Sequence, residues 1–399
     1  MIMHKKYNYV DLITLFSVIL LMGMGVLVVY SASVSWALDD QLASEKWLNL
    51  HILKVAIALL VMFLAMNIDY HKYENYTKPI LIISIGLLVL TIFIGFFAKG
   101  ASRWLRYGGV GFQPSELAKY ALIFHFSTMI VKKEEVLRDL KKGYLPMLIW
   151  LLIVAGLIMK QPNFSTALMI VVISFTLMYI AGVRIKHLFW TAISILLPVY
   201  MLMTTGYRSG RSGTYINYFN SLLTIDTSIL QNATDKLHQL WQSILGFGSG
   251  GLFGVGIGNS KQRDLFLPES FGDFIFSIVG EEYGLLGTSV FMFLFLMILI
   301  RGLKIARYAQ DDYGRILAIG ITLSIVIYAF VNAGVTLGLL PTTGLPMPFV
   351  SYGGTAVIIS GYAVGVLLNI SRQTDLNPRP AKVPIIGTVS AEGKKVSFE

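Results

Sequence analysis

Long apolar runs separated by short polar stretches set the pattern of this chain. Ten segments, at 11–31, 51–68, 77–98, 114–131, 145–160, 166–183, 187–205, 272–300, 314–337 and 352–371, come near the length a helix needs to cross a hydrocarbon core. A transmembrane barrel would instead show roughly ten-residue segments of alternating hydrophobicity. The pattern therefore predicts an all-α integral membrane protein with ten transmembrane helices. Its first run follows Lys5 and Lys6 and precedes Ser31-Ala32-Ser33, which has the outline of a signal peptide; nine further spans favour a retained helix.

Composition agrees with this reading. Of 399 residues, 55% are hydrophobic and only 14% charged, too few charges for a soluble domain of this size. An N-terminus inside and a C-terminus inside put most of the 32 Lys and Arg on the cytoplasmic side, including Lys132, Lys133, Arg138, Lys141 and Lys142 in one loop. The net charge of +10 then reports topology and contact with anionic membrane lipids, and no nucleic-acid partner is expected. Without cysteine there is no disulfide or thiolate chemistry, and the six histidines are scattered, which disfavours a histidine metal site.

Residues 1–372 form one polytopic domain, with a long extracytoplasmic loop at 205–271 between the seventh and eighth spans. Tyr215, Tyr218, Phe219, Leu222 and Leu223, and then Leu237, Leu240, Trp241, Ile244 and Leu245, fall at helical spacing, so two amphipathic helices are expected on the outer membrane face. Residues 373–399, with Pro378, Pro380 and Pro384, read as a disordered cytoplasmic tail.

Candidate chemistry collects in three places. Residues 246–282, GFGSGGLFGVGIGNSKQRDLFLPESFGDFIFSIVGEE, combine glycines that permit close backbone approach, the cations Lys261 and Arg263, and Asp273 at the start of an apolar helix. Ser270-x-x-Asp273 fits a capping box, in which the acid only satisfies a helix amide. The functional alternative is a general base at the lipid–water boundary. Gly246-x-Gly248-x-x-Gly251 spells a dinucleotide fingerprint but lacks the preceding strand, so that match is set aside.

A second group joins Arg103 and Trp104 to Gln113-Pro114-Ser115-Glu116-x-x-Lys119, whose Glu and Lys share a helix face. A structural ion pair and a polar path both fit it. Third, NAGVTLGLLPTTGLPMPFVSYGGTA at 332–356 is too rich in Pro and Gly for a continuous helix; a re-entrant loop buried in protein is expected.

In order along the chain, QPSELAKY at 113–120, GSGGLFGVGIG at 248–258, LPESFGDFIFSIVGEE at 267–282, and Asn332 with Gly338, Pro341, Gly344 and Ser351-Tyr352-Gly353-Gly354 resemble the SEDS family (shape, elongation, division and sporulation), which includes FtsW and RodA. The resemblance covers nearly all ten spans. It implies a multi-pass protein of the bacterial inner membrane, a peptidoglycan glycosyltransferase that polymerises lipid II into glycan strands at the outer face. In that family the acid before Phe-Ile-Phe is essential, here Asp273; Glu116, Lys119 and Trp104 match residues of its polar cavity. Arg103, Lys261, Arg263 and Ser351 join them as candidate substrate-binding residues.

The resemblance further implies a divalent cation, Mg²⁺ or Mn²⁺, held with the pyrophosphate by Glu116 or Asp273. It also implies a class B penicillin-binding protein partner among other divisome or elongasome proteins. The proline-rich tail and the wording LPTTGLPMPFVSYGGT lean toward division over elongation. Pro162-Asn163-Phe164-Ser165-Thr166 departs from the family's Pro-Asp-x-Gly-Thr, and Thr355 replaces a common serine. Two other classes compete: a lipid II flippase, and a non-catalytic hub that recruits a penicillin-binding protein.

Overall fold

A computed structural model describes residues 8–39, 44–98, 101–107, 110–204, 235–262 and 271–377. Its long helices are α1 (Leu12–Asp39), α2 (Ser44–Asn67), α3 (Thr77–Ile94), α4 (Pro114–Lys132), α5 (Leu145–Lys160), α6 (Phe164–Ile180), α7 (Ile185–Thr204), α8 (Asp235–Gly250), α9 (Ile275–Arg307), α10 (Asp312–Thr336) and α11 (Gly354–Arg372). Each apolar segment read from the sequence falls on one of these. Among the described residues, seven stretches are long and apolar enough to cross a membrane. The chain is thus a multi-pass membrane protein. Helix α4 misses that standard because it carries Glu116 and Lys119 in its first two turns.

Two expectations need correction. The third apolar run ends as a helix at Ile94, because Gly95 turns extended (φ −62°, ψ 145°), and its tail becomes a strand. β1 (Phe96–Ala98), β2 (Ala101–Tyr107) and β3 (Val110–Phe112) form an antiparallel sheet that pairs Phe96 with Trp104 and Leu105 with Phe112. The protein is therefore not wholly α. Aromatic residues in an apolar run fit a strand as well as a helix, and hydropathy does not separate the two.

The second correction concerns α8, expected on the membrane face. It leans into the bundle instead: Leu240 and Ser243 are buried, and Ser243 Oγ donates to the carbonyl of Thr336 at 2.8 Å. The other amphipathic stretch, at 215–223, lies outside the described residues, as does 378–399. Residues 373–377 are packed rather than loose: Gln373 and Thr374 are buried, and Asn8 Nδ2 donates to the carbonyl of Thr374 at 2.7 Å.

The glycine-rich run has a backbone partner. Helix α9 breaks at Gly284 (φ +65°, ψ −162°), which frees polar groups on both sides of the break. The turn at 251–256 takes them up. Val255 N donates to the carbonyl of Glu281 at 2.9 Å and Gly256 N to that of Glu282 at 3.1 Å, while the amides of Leu285 and Leu286 donate to the carbonyls of Gly251 and Leu252 at 2.9 and 3.1 Å. Membrane helices tolerate such a break only where neighbours satisfy the backbone again. The buried Glu281 and Glu282 side chains finish the clamp. Glu281 accepts from Lys261 N at 3.0 Å and from Ser260 Oγ, and Glu282 Oε1 accepts from Ser31 Oγ on α1 at 2.5 Å and from Gly258 N at 3.1 Å.

Between α10 and α11 the chain runs irregularly from Leu337 to Gly353, as the prolines and glycines require. Leu345, Met347, Phe349 and Val350 are buried, and Phe349 sits in the left-handed region at φ +65°. A Cβ placed on Gly25 would lie 2.6 Å from the carbonyl oxygen of Phe349. Gly25 is well inside the apolar stretch Leu12–Ser33 of α1, so the loop reaches membrane depth enclosed by protein.

α11 packs on α2 through Gly361-x-x-x-Gly365, where added Cβ atoms would sit 2.9 Å from Ala58 O and 2.3 Å from Met62 O. Small residues at this spacing let two helix backbones touch.

At the other end of the bundle, Asp311 caps α10 by accepting from Gly314 N at 2.7 Å, and it also bonds the Tyr70 hydroxyl and His71 Nε2, the latter at 2.9 Å. Burial pushes this carboxyl up, but the hydrogen bonds outweigh it and hold it at about 2. A carboxylate held below its ordinary value of about 3.9 contributes stability that is complete above that value and lost as pH falls through the folded one. Asp311→Asn should therefore unfold at lower temperature than wild type at pH 6, and the gap should close as pH falls from about 4 toward 2, measured by thermal unfolding in detergent.

The clamp on α9 gives a sharper test. A Cβ on Gly254 would sit 2.1 Å from the carbonyl oxygen of Glu282 at a backbone φ of +83°, whereas one on Gly248 meets nothing within 4 Å. Gly254→Ala should cost about 2 kcal/mol or more of stability, and Gly248→Ala far less, in the same unfolding measurement.

Candidate functional site

α4 starts with Pro114 in its first turn, where a missing amide costs nothing, and this sets the next turn facing inward. Glu116 and Lys119 are each only 3% exposed, and Lys119 Nζ donates to Glu116 Oε2 at 2.8 Å. The ammonium also lies 4.1 Å from the ring centroid of Tyr328 on α10. The ion pair anticipated from spacing is thus real and buried. It lines a small cavity together with Tyr328, Met347, Ser351 and Gly353.

Ser351 connects this cavity to Asp273. Its hydroxyl donates to the carbonyl of Gly272 and accepts from Met347 N, both at 2.8 Å. Tyr352 N donates to the carbonyl of Phe271 at 2.9 Å. Buried Asn332 donates through Nδ2 to the carbonyls of Asp273 and Leu345, at 2.8 and 2.7 Å. The turn 271–273 is thereby tied at successive carbonyls to α10 and to the loop before α11. The carboxylate lies against Gly344: a Cβ there would come within 3.2 Å of Asp273 Oδ2, and the position has φ +75°. Glycine meets both demands.

The described residues show one half of the expected capping box. α9 begins at Ile275 with Phe274 as its N-cap and no side-chain capping bond, so Asp273 precedes the helix and is not in its first turn. Ser270 lies outside the described residues.

Arg103 points elsewhere on the same rim, donating to the carbonyls of Gln161 and Pro162 between α5 and α6. Trp104 on β2 covers Gly111, where a Cβ would touch its ring at 3.3 Å. The sheet is hooked to α11 by Thr355, whose hydroxyl accepts from Gln113 N at 3.2 Å and donates to the carbonyl of Gly111 at 3.1 Å. A serine could make both bonds. In the departing segment at 162–166, Ser165 Oγ donates to the carbonyl of Thr343 at 2.6 Å, and Asn163 is buried. Lys261 is not brought to this group: its amide serves Glu281 and its side chain faces outward. Arg263 lies outside the described residues. Sequence reasoning passed over Tyr328, which has the helical spacing of an ordinary core residue, and Lys54 on α2, which appeared to be one charge among many.

The family profile for the FtsW/RodA/SpoVE cell cycle proteins matches residues 12–376. The chain belongs to this family. A relative in Geobacter metallireducens named "Probable peptidoglycan glycosyltransferase FtsW" is 38% identical over 94% of this chain and 98% of its own length. "Stage V sporulation protein E" of Bacillus subtilis is 35% identical over 93% of this chain and 99% of its own. Among solved structures, a chain from a study titled "Structural coordination of polymerization and crosslinking by a peptidoglycan synthase complex" superposes with a TM-score of 0.72 at 23% identity, covering 91% of this chain and 98% of that one. The rod shape determining protein RodA of Thermus thermophilus gives 0.67 at 24% identity, covering 92% and 98%. These two likenesses establish the fold.

Removing one partner of a buried ion pair strands the other charge, at a cost of about 3–5 kcal/mol. Glu116→Gln and Lys119→Met should each lower the unfolding temperature by more than the double substitution does. A double substitution at least as damaging as the sum of the singles would show that the pair is not coupled.

Proposed function

We propose that this peptidoglycan glycosyltransferase polymerises lipid II at the outer end of its bundle with Asp273 as general base. The observation that carries the assignment is the tethering of the 271–273 turn beside the cavity that holds Glu116 and Lys119. It fixes a carboxylate outside the regular helix, against Gly344, with Ser351 shared between its turn and the cavity of the buried ammonium.

The reaction joins two lipid-linked saccharides. A sugar 4-hydroxyl of one attacks the anomeric carbon of the other, and undecaprenyl pyrophosphate leaves. Asp273 accepts the hydroxyl proton as the bond forms. Lys119 offsets the charge gathering on the leaving group, and Glu116 holds the ammonium in place. Among the described residues no three His, Asp or Glu side chains are grouped to cage a metal. Mg²⁺ or Mn²⁺ would therefore bind mainly through the pyrophosphate, with Asp273 or Glu116 as its protein ligand. Such an ion would supply further charge neutralisation at the leaving group.

This reading takes the chain as ten transmembrane helices with both termini inside, which would put the site at the outer face of a bacterial inner membrane. The FtsW names of the relatives and the proline-rich tail favour a role in division. The synthase-complex likeness supports a class B penicillin-binding protein as partner, supplying the crosslinking that follows polymerisation. Arg103 then supports the rim, where Trp104 flanks the sugar path.

Asp273→Asn nearly keeps shape and should fold as wild type, with an unfolding temperature within a few degrees. Its polymerisation of lipid II, assayed with Mg²⁺ and a class B partner, should fall at least about 100-fold, in the range expected for loss of a general base. Near-normal glycan synthesis by this variant would move the base elsewhere. Movement of labelled lipid II between vesicle leaflets with no polymer from either protein would favour the flippase.

A further inference from the structure

The polymerase reading leaves a demand unmet, because both reacting molecules carry a pyrophosphate and the Lys119 ammonium serves only the one that leaves. A second group of polar residues lies at the α11 N-terminus. Lys54 of α2 extends along that terminus: a Cβ on Gly354 would lie 3.2 Å from its Cε and 3.3 Å from its Cδ. Its Nζ donates to the Tyr352 hydroxyl at 2.6 Å, and no carboxylate pairs with it among the described residues. A lysine inside the membrane with only a neutral partner is costly and marks a functional position by default.

Two further observations point to a ligand there. α11 has Gly353 as its N-cap with no side-chain capping bond, and the amides of Gly354, Thr355 and Ala356 have no acceptor among the described residues. His51, one turn before Lys54, is fully buried against Tyr352, ring centroids 5.5 Å apart, and neither ring nitrogen has a hydrogen-bond partner. Free amides at a helix N-terminus favour an anion, and a lysine beside them adds a full positive charge. The close α2–α11 packing through Gly361 and Gly365 holds the two elements in this register.

We propose that Lys54, His51 and the N-terminus of α11 bind the pyrophosphate of a second lipid-linked substrate. This inference rests on the polymerase reading for its need of two anion sites. The site provides one phosphoryl group with three backbone amides and an ammonium, and His51 adds a neutral N–H. Residue 54 therefore touches the substrate and is a binding residue, not a part of the proton-transfer machinery.

The test is equilibrium binding of labelled undecaprenyl pyrophosphate to the purified full chain in detergent. Wild type should bind two equivalents and Lys54→Gln one, or a second only about tenfold or more weakly; Lys54→Arg should keep both. Unchanged two-site binding by Lys54→Gln would overturn the proposal. Tyr352→Phe should also keep both sites, since it removes only the hydroxyl; a loss equal to that of Lys54→Gln would show that Lys54 merely positions Tyr352, and would overturn it too. Displacement of the second equivalent by inorganic pyrophosphate supports a substrate site, whereas displacement by phosphatidylglycerol alone would make it an ordinary headgroup site and refute the assignment. Asp273→Asn should bind two equivalents without making polymer. Polymer from that variant would defeat the catalytic assignment while leaving the second anion site standing.

Discussion

A backbone inside a bilayer has no water to bond, so every irregular stretch must be satisfied by protein. Two irregular stretches organise this molecule. The break in α9 at Gly284 exposes amides and carbonyls that the glycine-rich turn at 251–256 takes up one by one. The loop from Leu337 to Gly353 reaches the level of Gly25 on α1, and its Tyr352 and Ser351, with Asn332 of α10, hold the carbonyls of Phe271, Gly272 and Asp273. The Asp273 carboxylate is positioned as a by-product of this backbone accounting.

The buried charges follow the same logic. Glu116 and Lys119 face each other at 2.8 Å, Glu281 and Glu282 accept from amides and hydroxyls of the clamp, and Arg301 pairs with Asp11 where α1 meets α9. The last two tie elements that apolar packing alone would leave free to slide, because a lipid environment gives little hydrophobic drive between helices, whereas Glu116 and Lys119 neutralise each other within α4. Lys54, without such a carboxylate, stands apart, and this makes its place beside the α11 N-terminus informative.

Most of the helical frame was legible from apolar run length, and the irregular loop at 337–353 from its prolines and glycines. The spacing of Glu116 and Lys119 also gave their pairing directly, since three residues on a helix bring side chains together. What was not legible depends on tertiary contact. The strands at 96–112 were hidden in an apolar run that a helix could equally use. The glycines at 250–258 were read as an approach to ligand, and the partner proved to be the backbone of α9. α9 starts at Ile275, later than the pattern at 270–273 suggests, with the turn before it held by Asn332, Ser351 and Tyr352 from far along the chain. Local sequence carries no trace of such long-range bonds, and Lys54 gains meaning only once α11 is packed against α2.

The central claim is that the loop before α11 positions Asp273 for proton transfer, with Ser351 as the link between the carboxylate turn and the Lys119 cavity. The most direct test measures lipid II affinity and the single-turnover polymerisation rate at saturating lipid II for Ser351→Ala beside wild type. The account predicts a rate lowered about tenfold or more with affinity little changed, because the hydroxyl holds Gly272 and not the substrate. A fall in affinity with an unchanged saturating rate would place Ser351 on the substrate and contradict the claim.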